Sequence, residues 1–220
     1  SGSNRVLRGG SWYSLAWICR VSNRSSNIPF RRHNFNGFRL VCSPKIYKVG
    51  DYYDFNGRRG VVFEVSRDGR HGKIVSMNQS EQPLCWTVDS KEQRRKREAI
   101  DIVDGAKNMA VIAAIEDWQS KYPAFKWCAE QGEGWYLPAI DELKSLILNE
   151  KARESINRTL IAKGGVPLFG RSDRERNWSS TECYQKMVGQ YSAWSVTTHI
   201  RADNYVNKSD QMCVRAVAVF

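Results

Sequence analysis

Few residues in this chain have both the type and the spacing for chemistry. The three histidines, His33, His71 and His199, lie far apart, which argues against a histidine-based metal site. Six cysteines occur, at positions 19, 42, 85, 128, 183 and 213. None forms a Cys-x-x-Cys pair, so the spacing excludes a zinc ribbon and a thioredoxin-like motif. Asp141 and Glu142 are neighbours on an expected helix and point in different directions. They suit the positive end of its dipole better than an acid–base pair. His199 near Asp203 reads either as two polar loop residues or as part of a ligand site, and the first reading is preferred. Ser179 and Ser180 have no evident base. Gly9-Gly10 and Gly164-Gly165 do not fit phosphate-loop patterns. These observations lead to the expectation of a non-enzyme with no metal and no cofactor.

Contact chemistry is better represented. Between Arg5-Val6-Leu7-Arg8-Gly9-Gly10-Ser11-Trp12 and Gly37-Phe38-Arg39-Leu40-Val41 stand Tyr13, Ser14, Leu15, Trp17, Ile18, Ser25, Ser26, Ile28, Phe30, His33 and Phe35. Their spacing follows neither a strand nor a helix, and Asn, Ser, Gly and Pro around them mark loops. Aromatic residues in irregular loops either touch a partner or close over a neighbouring core. A second group, Tyr184, Tyr191, Trp194 and Tyr205, follows Trp178. A tyrosine joins an apolar ring to a polar tip, as contacts to sugars and proteins require.

Secondary structure must hold these residues in place. The stretch Gly134-Trp135-Tyr136-Leu137-Pro138 reads as a short extended segment. A helix then starts with Pro138 at its entry and buries Ile140, Leu143, Leu146 and Ile147. Val61–Val65 and Lys73–Met77 read as a β-hairpin around Asp68-Gly69. Asp104 is an expected N-cap for a helix to about Gln119, with Met109, Ile112, Ile115 and Trp118 on its buried stripe. Pro123 breaks or restarts that helix. A further helix from Ala152 to Lys163 buries Ile156 and Leu160 and ends at Gly164-Gly165. Trp178–Glu182 and Ala193–Val196 read as strands, with a turn at Arg201–Asn204. Val214–Phe220 reads as a last strand with valines on one face and Arg/Ala on the other. The order is α+β.

The chain has 220 residues, of which 41% are hydrophobic, enough for a real core and against wholesale disorder. No apolar run reaches membrane-spanning length, so no membrane insertion is expected. Ser1-Gly2-Ser3-Asn4 opens directly onto a patterned segment, so these residues are not expected to be a signal peptide. Net charge is +11, which admits an anionic partner, yet Lys and Arg are scattered rather than banked. The one dense run, Lys91-Glu92-Gln93-Arg94-Arg95-Lys96-Arg97-Glu98, is diluted by two glutamates and reads as an exposed loop or helix start. There is no recognised reading helix or RNA-binding sheet motif, so nucleic acid is a minor alternative.

The words RVLRGGSW, CRVSNR and GFRLV resemble the C-terminal end of the formylglycine-generating-enzyme (sulfatase-modifying factor) family. That family uses two cysteines in this stretch. Ser14 stands in the place of the first, and only Cys19 matches the second, so the thiol pair that an oxidase would need is missing. The same words and the side chains between them resemble the variable regions of diversity-generating retroelement proteins. There a fixed lectin-like framework carries exchanged residues such as Tyr, Ser, Ile, Phe, His, Leu and Arg; Trp17 fits better as framework. Residues 42–50 read as a linker, dividing the chain into 1–45 and 46–220. WCAEQGEGWYLPAIDEL, NWSSTE, AWSV and VRAVAVF resemble bacterial lectin-like domains of the collagen-like-protein C-terminal and major paralogous families. This resemblance implies a C-type-lectin-like fold, with two helices packed on a small twisted antiparallel sheet. It places Cys128 near enough to Cys213 for a disulfide. The Glu-Pro-Asn and Trp-Asn-Asp words of calcium-dependent sugar binding are absent. The expectation is a cell-surface or extracellular adhesin or receptor for a protein or glycan, of undetermined oligomeric state. Its contact residues would be Tyr13, Ser14, Leu15, Ile18, Ser25, Ser26, Ile28, Phe30, His33, Phe35, Tyr184, Tyr191 and Tyr205. An oxidase remnant is the enzymatic alternative.

Overall fold

A computed structural model describes residues 3–35, 37, 45–168, 175–185, 190–197 and 204–220. They belong to two compact units, residues 1–44 and 45–220. In the first, β1 (Arg5–Leu7) pairs antiparallel with β2 (Ser25–Asn27), Val6 facing Ser26. Between the strands the chain runs through successive tight turns: the N–H groups of Ser14, Ile18, Cys19 and Asn23 donate to the carbonyls of Ser11, Leu15, Ala16 and Arg20. Gly10 has φ 63°, and a side chain there would strike Cys19 Sγ. The Gly9-Gly10 pair is thus a backbone requirement of the turn. A two-stranded ribbon is only marginally stable alone.

The second unit is α+β. Its central sheet begins with β3 (Tyr52–Phe55) and β4 (Arg58–Val65), joined at Asn56-Gly57 with φ 50° and 78°. Both turn residues are left-handed, the geometry that matches the twist of a tight hairpin. The expected hairpin around Asp68-Gly69 follows, from β4 to β5 (Gly72–Ser76), with a bulge between Val62 and Glu64. β6 (Leu84–Cys85) and α1 (Ser90–Gln93) come next. Then α2 (Gly105–Ala113) starts as expected, Asp104 accepting the N–H groups of Ala106 and Lys107. It does not reach Gln119. The chain breaks after Ala113, takes a left-handed residue at Asp117 (φ 56°), and makes α3 (Trp118–Lys121) before Pro123 opens α4 (Pro123–Ala129).

β7 (Trp135–Tyr136) leads to α5 (Ile140–Ile147) and α6 (Glu150–Ala162). Pro138 lies before the N-cap, Ala139, rather than in the helix itself. β8 (Arg176–Gln185), β9 (Gln190–Thr197) and β10 (Asn204–Val206) form a second antiparallel sheet. β11 (Gln211–Met212) pairs with β6, and β12 (Val217–Val219) enters the central sheet, whose order is β3-β4-β5-β12-β7. The helical segments therefore outnumber the two that the resemblance implies. Residues 42–44 of the expected linker and 201–203 of the expected turn lie outside the described residues. Tyr47 and Val49 pack on the core, so this end of the linker is part of the fold.

Alternation along the central strands explains the layering. Val62, Ile74, Trp135 and Ala218 face a cluster that includes Ile112, Phe125, Cys128, Trp86 and Trp178. Val61, Val75, Tyr136 and Val217 face the other cluster, with Leu143, Leu146, Ile147, Ile156 and Leu160. A strand with a side-chain period of two and both faces covered must be apolar throughout. The sheet is thus a middle layer, with α2 and α4 on one side and α5 and α6 on the other. The closing segment does not sort as expected. Arg215 falls on the same alternation as Val217 and Val219, and Val214 on that of Ala216. Arg215 is completely buried. Cys128 and Cys213 are buried too and are not joined by a disulfide.

Glu142 does more than sit at a helix dipole. Its Oε2 accepts the N–H groups of Ala139 (2.8 Å) and Gly105 (3.1 Å). Its Oε1 takes the Tyr136 hydroxyl at 2.8 Å and the Lys73 ammonium at 2.9 Å. Burial pulls the Lys73 pKa down, but Glu142 outweighs it and the net shift is upward; burial and Glu142 together push Tyr136 up. Replacing Glu142 by Ala strands three buried donors and a half-buried cation. The expected loss is about 3 kcal/mol, read as a lower urea midpoint. Because the Lys73 pKa is raised on folding, its stabilising share is full below the unfolded lysine pKa and fades as pH rises through the folded one. Loss of midpoint on going to high pH should therefore be smaller in Glu142→Ala than in the parent.

Candidate ligand-contact surfaces

In the first unit the turns hold aromatic rings in solvent. Tyr13 stacks on Phe35 at 6.1 Å, and Phe35 on His33 at 4.7 Å. Trp12 meets Tyr13 edge-on at 5.7 Å. Three of the expected contact residues thus form one row, extended by Trp12. Tyr13 is 75% exposed and Phe30 91%. Leu15, Ile28, Ser25 and Ser26 are also exposed, while Ser14, Ile18 and His33 are half-buried. Ser14, Ile18, Ser25 and Phe35 line a pocket of ≈ 260 Å³ together with Leu7, Arg8 and others. Leu15, Ser26, Ile28 and Phe30 lie outside that pocket.

Ser14 has a structural use in this unit. Its Oγ accepts the Ser11 N–H at 2.9 Å and lies 2.9 Å from Ser11 Oγ. This hydroxyl pair closes the turn at the place where an oxidase would carry its first thiol. Cys19 is exposed, and no second cysteine is among the described residues of the unit.

On the second unit, Tyr205 lies across from Trp194 in the β9–β10 register, their rings 5.9 Å apart and edge-on. Tyr205 is 54% exposed, Trp194 half-buried and Trp178 fully buried. Tyr184 and Tyr191 face each other in the β8–β9 register. Their side chains, and all of His199 and Asp203, lie outside the described residues. Among the described residues no three His, Cys, Asp or Glu side chains converge as a metal would require.

Behind this sheet lies a buried ionic cluster. Lys208 Nζ bonds Glu182 Oε1, donates to the Arg95 carbonyl at 2.9 Å and sits 4.6 Å over the Trp86 ring. Burial pulls the Lys208 pKa down, partly offset by Glu182. Glu182 Oε2 also takes the Arg97 N–H at 2.8 Å. Glu92 binds the Arg97 guanidinium and accepts the Tyr122 hydroxyl at 2.7 Å. The run 91–98 opens within α1, as a helix start would, and Glu92 and Arg97 anchor it inward rather than leaving it an exposed loop. Burial pushes the Cys85 thiol up, and it pushes the Cys183 thiol up to about 11.

The sequence offered only faint signals for these ions. Arg215 inside an apolar run was one; Lys208 and Glu182 stand among polar neighbours and carry none.

Comparison with protein-family models gives two matches. The model described as the Lcl C-terminal domain matches residues 76–218. The model described as the sulfatase-modifying factor enzyme 1-like domain matches residues 1–44. No curated protein matches the chain. Since the first match spans more than half of its length, the chain belongs to the Lcl C-terminal domain family.

The two roles on this face can be separated by substitution. Lys208→Met leaves Glu182 buried and uncompensated and should cost about 3 kcal/mol in chemical denaturation. Adding Glu182→Gln should return part of that loss. Tyr205→Ala, on the exposed side, should cost under about 1 kcal/mol.

Proposed function

We propose that this member of the Lcl C-terminal domain family is a non-catalytic recognition protein of the adhesin or receptor type. It acts at a cell surface or outside the cell, on a protein or glycan partner. The second unit is read as a C-type-lectin-like scaffold, in keeping with its two-sided antiparallel sheet and the late β8–β10 sheet. The first unit is read as a display segment whose side chains are exchanged by a retroelement.

The observation that carries this reading is the row of rings left in solvent in the first unit. Isolated exposed apolar side chains are ordinary, but a contiguous set on an irregular ribbon is the usual mark of a contact surface. Stacked rings lose little conformational freedom on binding, which favours them as contact residues. The thiols support the non-catalytic side. An activated cysteine has a lowered pKa, whereas Cys85, Cys128 and Cys183 are all pushed up by burial. Among the described residues no helix is long and apolar enough to cross a membrane.

Replacement of Tyr13, Ile18, Phe30 and Phe35 together by Ala tests the reading. The melting temperature should move by no more than a few degrees, because these residues are exposed or half-buried. Binding to an array of immobilised glycans and cell-surface proteins should change or disappear. A large drop in melting temperature would instead make these side chains core. Diversification is checked separately at the gene: a neighbouring reverse transcriptase and a near-identical template repeat are expected.

A further inference from the structure

The second unit carries a groove that the contact surfaces above do not include. Asn78, Gln79, Gln82 and Gln131 line it around Trp127, with Ser80, Glu81, Leu84 and Val166, and its volume is ≈ 520 Å³. That lies within the usual range for small-molecule sites, about 300–1,000 Å³. We infer that this groove binds a neutral pyranose sugar.

The lining chemistry selects the ligand class. A carboxamide presents an acceptor and two donors side by side. Adjacent ring hydroxyls of a sugar each donate and accept, so amides match them in pairs. Among the described residues the Asn78 and Gln82 side chains make no hydrogen bond, so both amides are open to a guest. Gln131 spends a donor on the Trp127 carbonyl at 3.1 Å and keeps its Oε1 as an acceptor. The Trp127 indole supplies the apolar surface on which the C–H face of a pyranose rests. Among the described lining residues there is no cation to favour an anionic guest. The cations Arg59 and Lys163 belong to an adjoining pocket that shares only Asn78 and Gln131 with this one.

The groove is also held rigid, which keeps the ordering cost of binding low. Gln79 is buried between Glu175 (2.5 Å) and Arg215 (3.2 Å). Ser80 exchanges two hydrogen bonds with Val214, each 3.0 Å. Ser76 Oγ donates to the Asn78 carbonyl at 2.7 Å. Glu175 Oε2 and Arg215 Nε are buried with no partner among the described residues.

The test uses the full chain, labelled with nitrogen-15. It is titrated with the methyl glycosides of glucose, galactose, mannose and N-acetylglucosamine. At least one should shift the side-chain amide signals of Asn78 and Gln82 and the indole signal of Trp127. Asn78→Ala and Gln82→Ala are exposed substitutions, and each should weaken that glycoside about tenfold, the worth of one hydrogen bond. The circular dichroism and melting temperature should stay unchanged. Arg59→Ala with Lys163→Ala should leave the affinity as it was. The inference fails if no glycoside moves these signals, or if the shifts survive Asn78→Ala and Gln82→Ala. It also fails if only an anionic sugar such as glucuronate binds and its loss follows Arg59 and Lys163. None of these outcomes depends on the Tyr13, Ile18, Phe30 and Phe35 substitutions, so the two sites stand or fall separately.

Discussion

A single buried carboxylate joins most of the second unit. Glu142 takes a donor from β5 (Lys73), one from β7 (Tyr136), one from the start of α2 (Gly105) and one from the N-cap of its own helix (Ala139). Ala139 has no side chain with which to cap α5, so the helix reaches back through Glu142 for that bond. Thr181 Oγ1 takes the next free N–H, from Ile140, at 3.0 Å, and the Ile102 carbonyl takes that of Asp141 at 2.9 Å. A buried ion of this kind is costly unless all its bonds are made. Once they are, it permits one arrangement of the helices against the sheet, since slipping any element strands a charge.

What could be read from the residues follows from how local the causes are. The Asp104 cap, the Asp68-Gly69 hairpin, Pro123 as a helix opener and the stripe of α5 each depend on neighbours a few positions away. The Asn56-Gly57 hairpin has an equally local signal, the Asn-Gly pair of a tight turn, followed by polar Arg58 and Arg59. The break after Ala113 was beyond reach. Residues 104–119 keep a helical period, and the period does not show the left-handed turn at Asp117. The contact residues were picked for being apolar in irregular surroundings. That pattern is local, and it falls on rings that are exposed in the fold, among them Tyr13, Phe30 and Phe35. The carboxamide groove was not, because Asn78, Gln82 and Gln131 meet only through the fold, and amides in loops look like solvated surface.

The two units answer the same composition in different ways. The second spends its apolar residues on both faces of one sheet, sealing Trp86, Trp178 and Phe125 entirely. The first has too little chain to enclose much, and among its described residues Trp12, Tyr13, Trp17, Phe30 and Phe35 are exposed. Its backbone is shaped by Gly10 against Cys19 and by the Ser11–Ser14 hydroxyl pair. The side chains between them support little else, and this leaves them open to exchange. A framework built from backbone geometry and hydroxyls tolerates replacement of its outward side chains, whereas a framework built from packing would not.

The final stretch shows how short strands are kept in register. After residue 203 the chain serves three sheets in turn: β10 pairs with β9, β11 with β6, and β12 lies between β5 and β7. None of these strands exceeds three residues, too few ladder bonds to hold a crossing. Each crossing instead has one buried cation. Lys208, between β10 and β11, binds Glu182 and the Arg95 carbonyl. Arg215, between β11 and β12, donates to the carbonyls of Ser76 (3.1 Å), Val166 (3.0 Å) and Pro167 (3.1 Å). Burial lowers the pKa of Arg215 to about 10, which still leaves it charged at neutral pH. Carbonyls from separate loops satisfy one cation only when those loops are correctly placed, so the two ions enforce a path that the strands are too short to specify. The same guanidinium holds Gln79 and thereby the floor of the carboxamide groove, so the device that routes the chain also shapes the surface it presents.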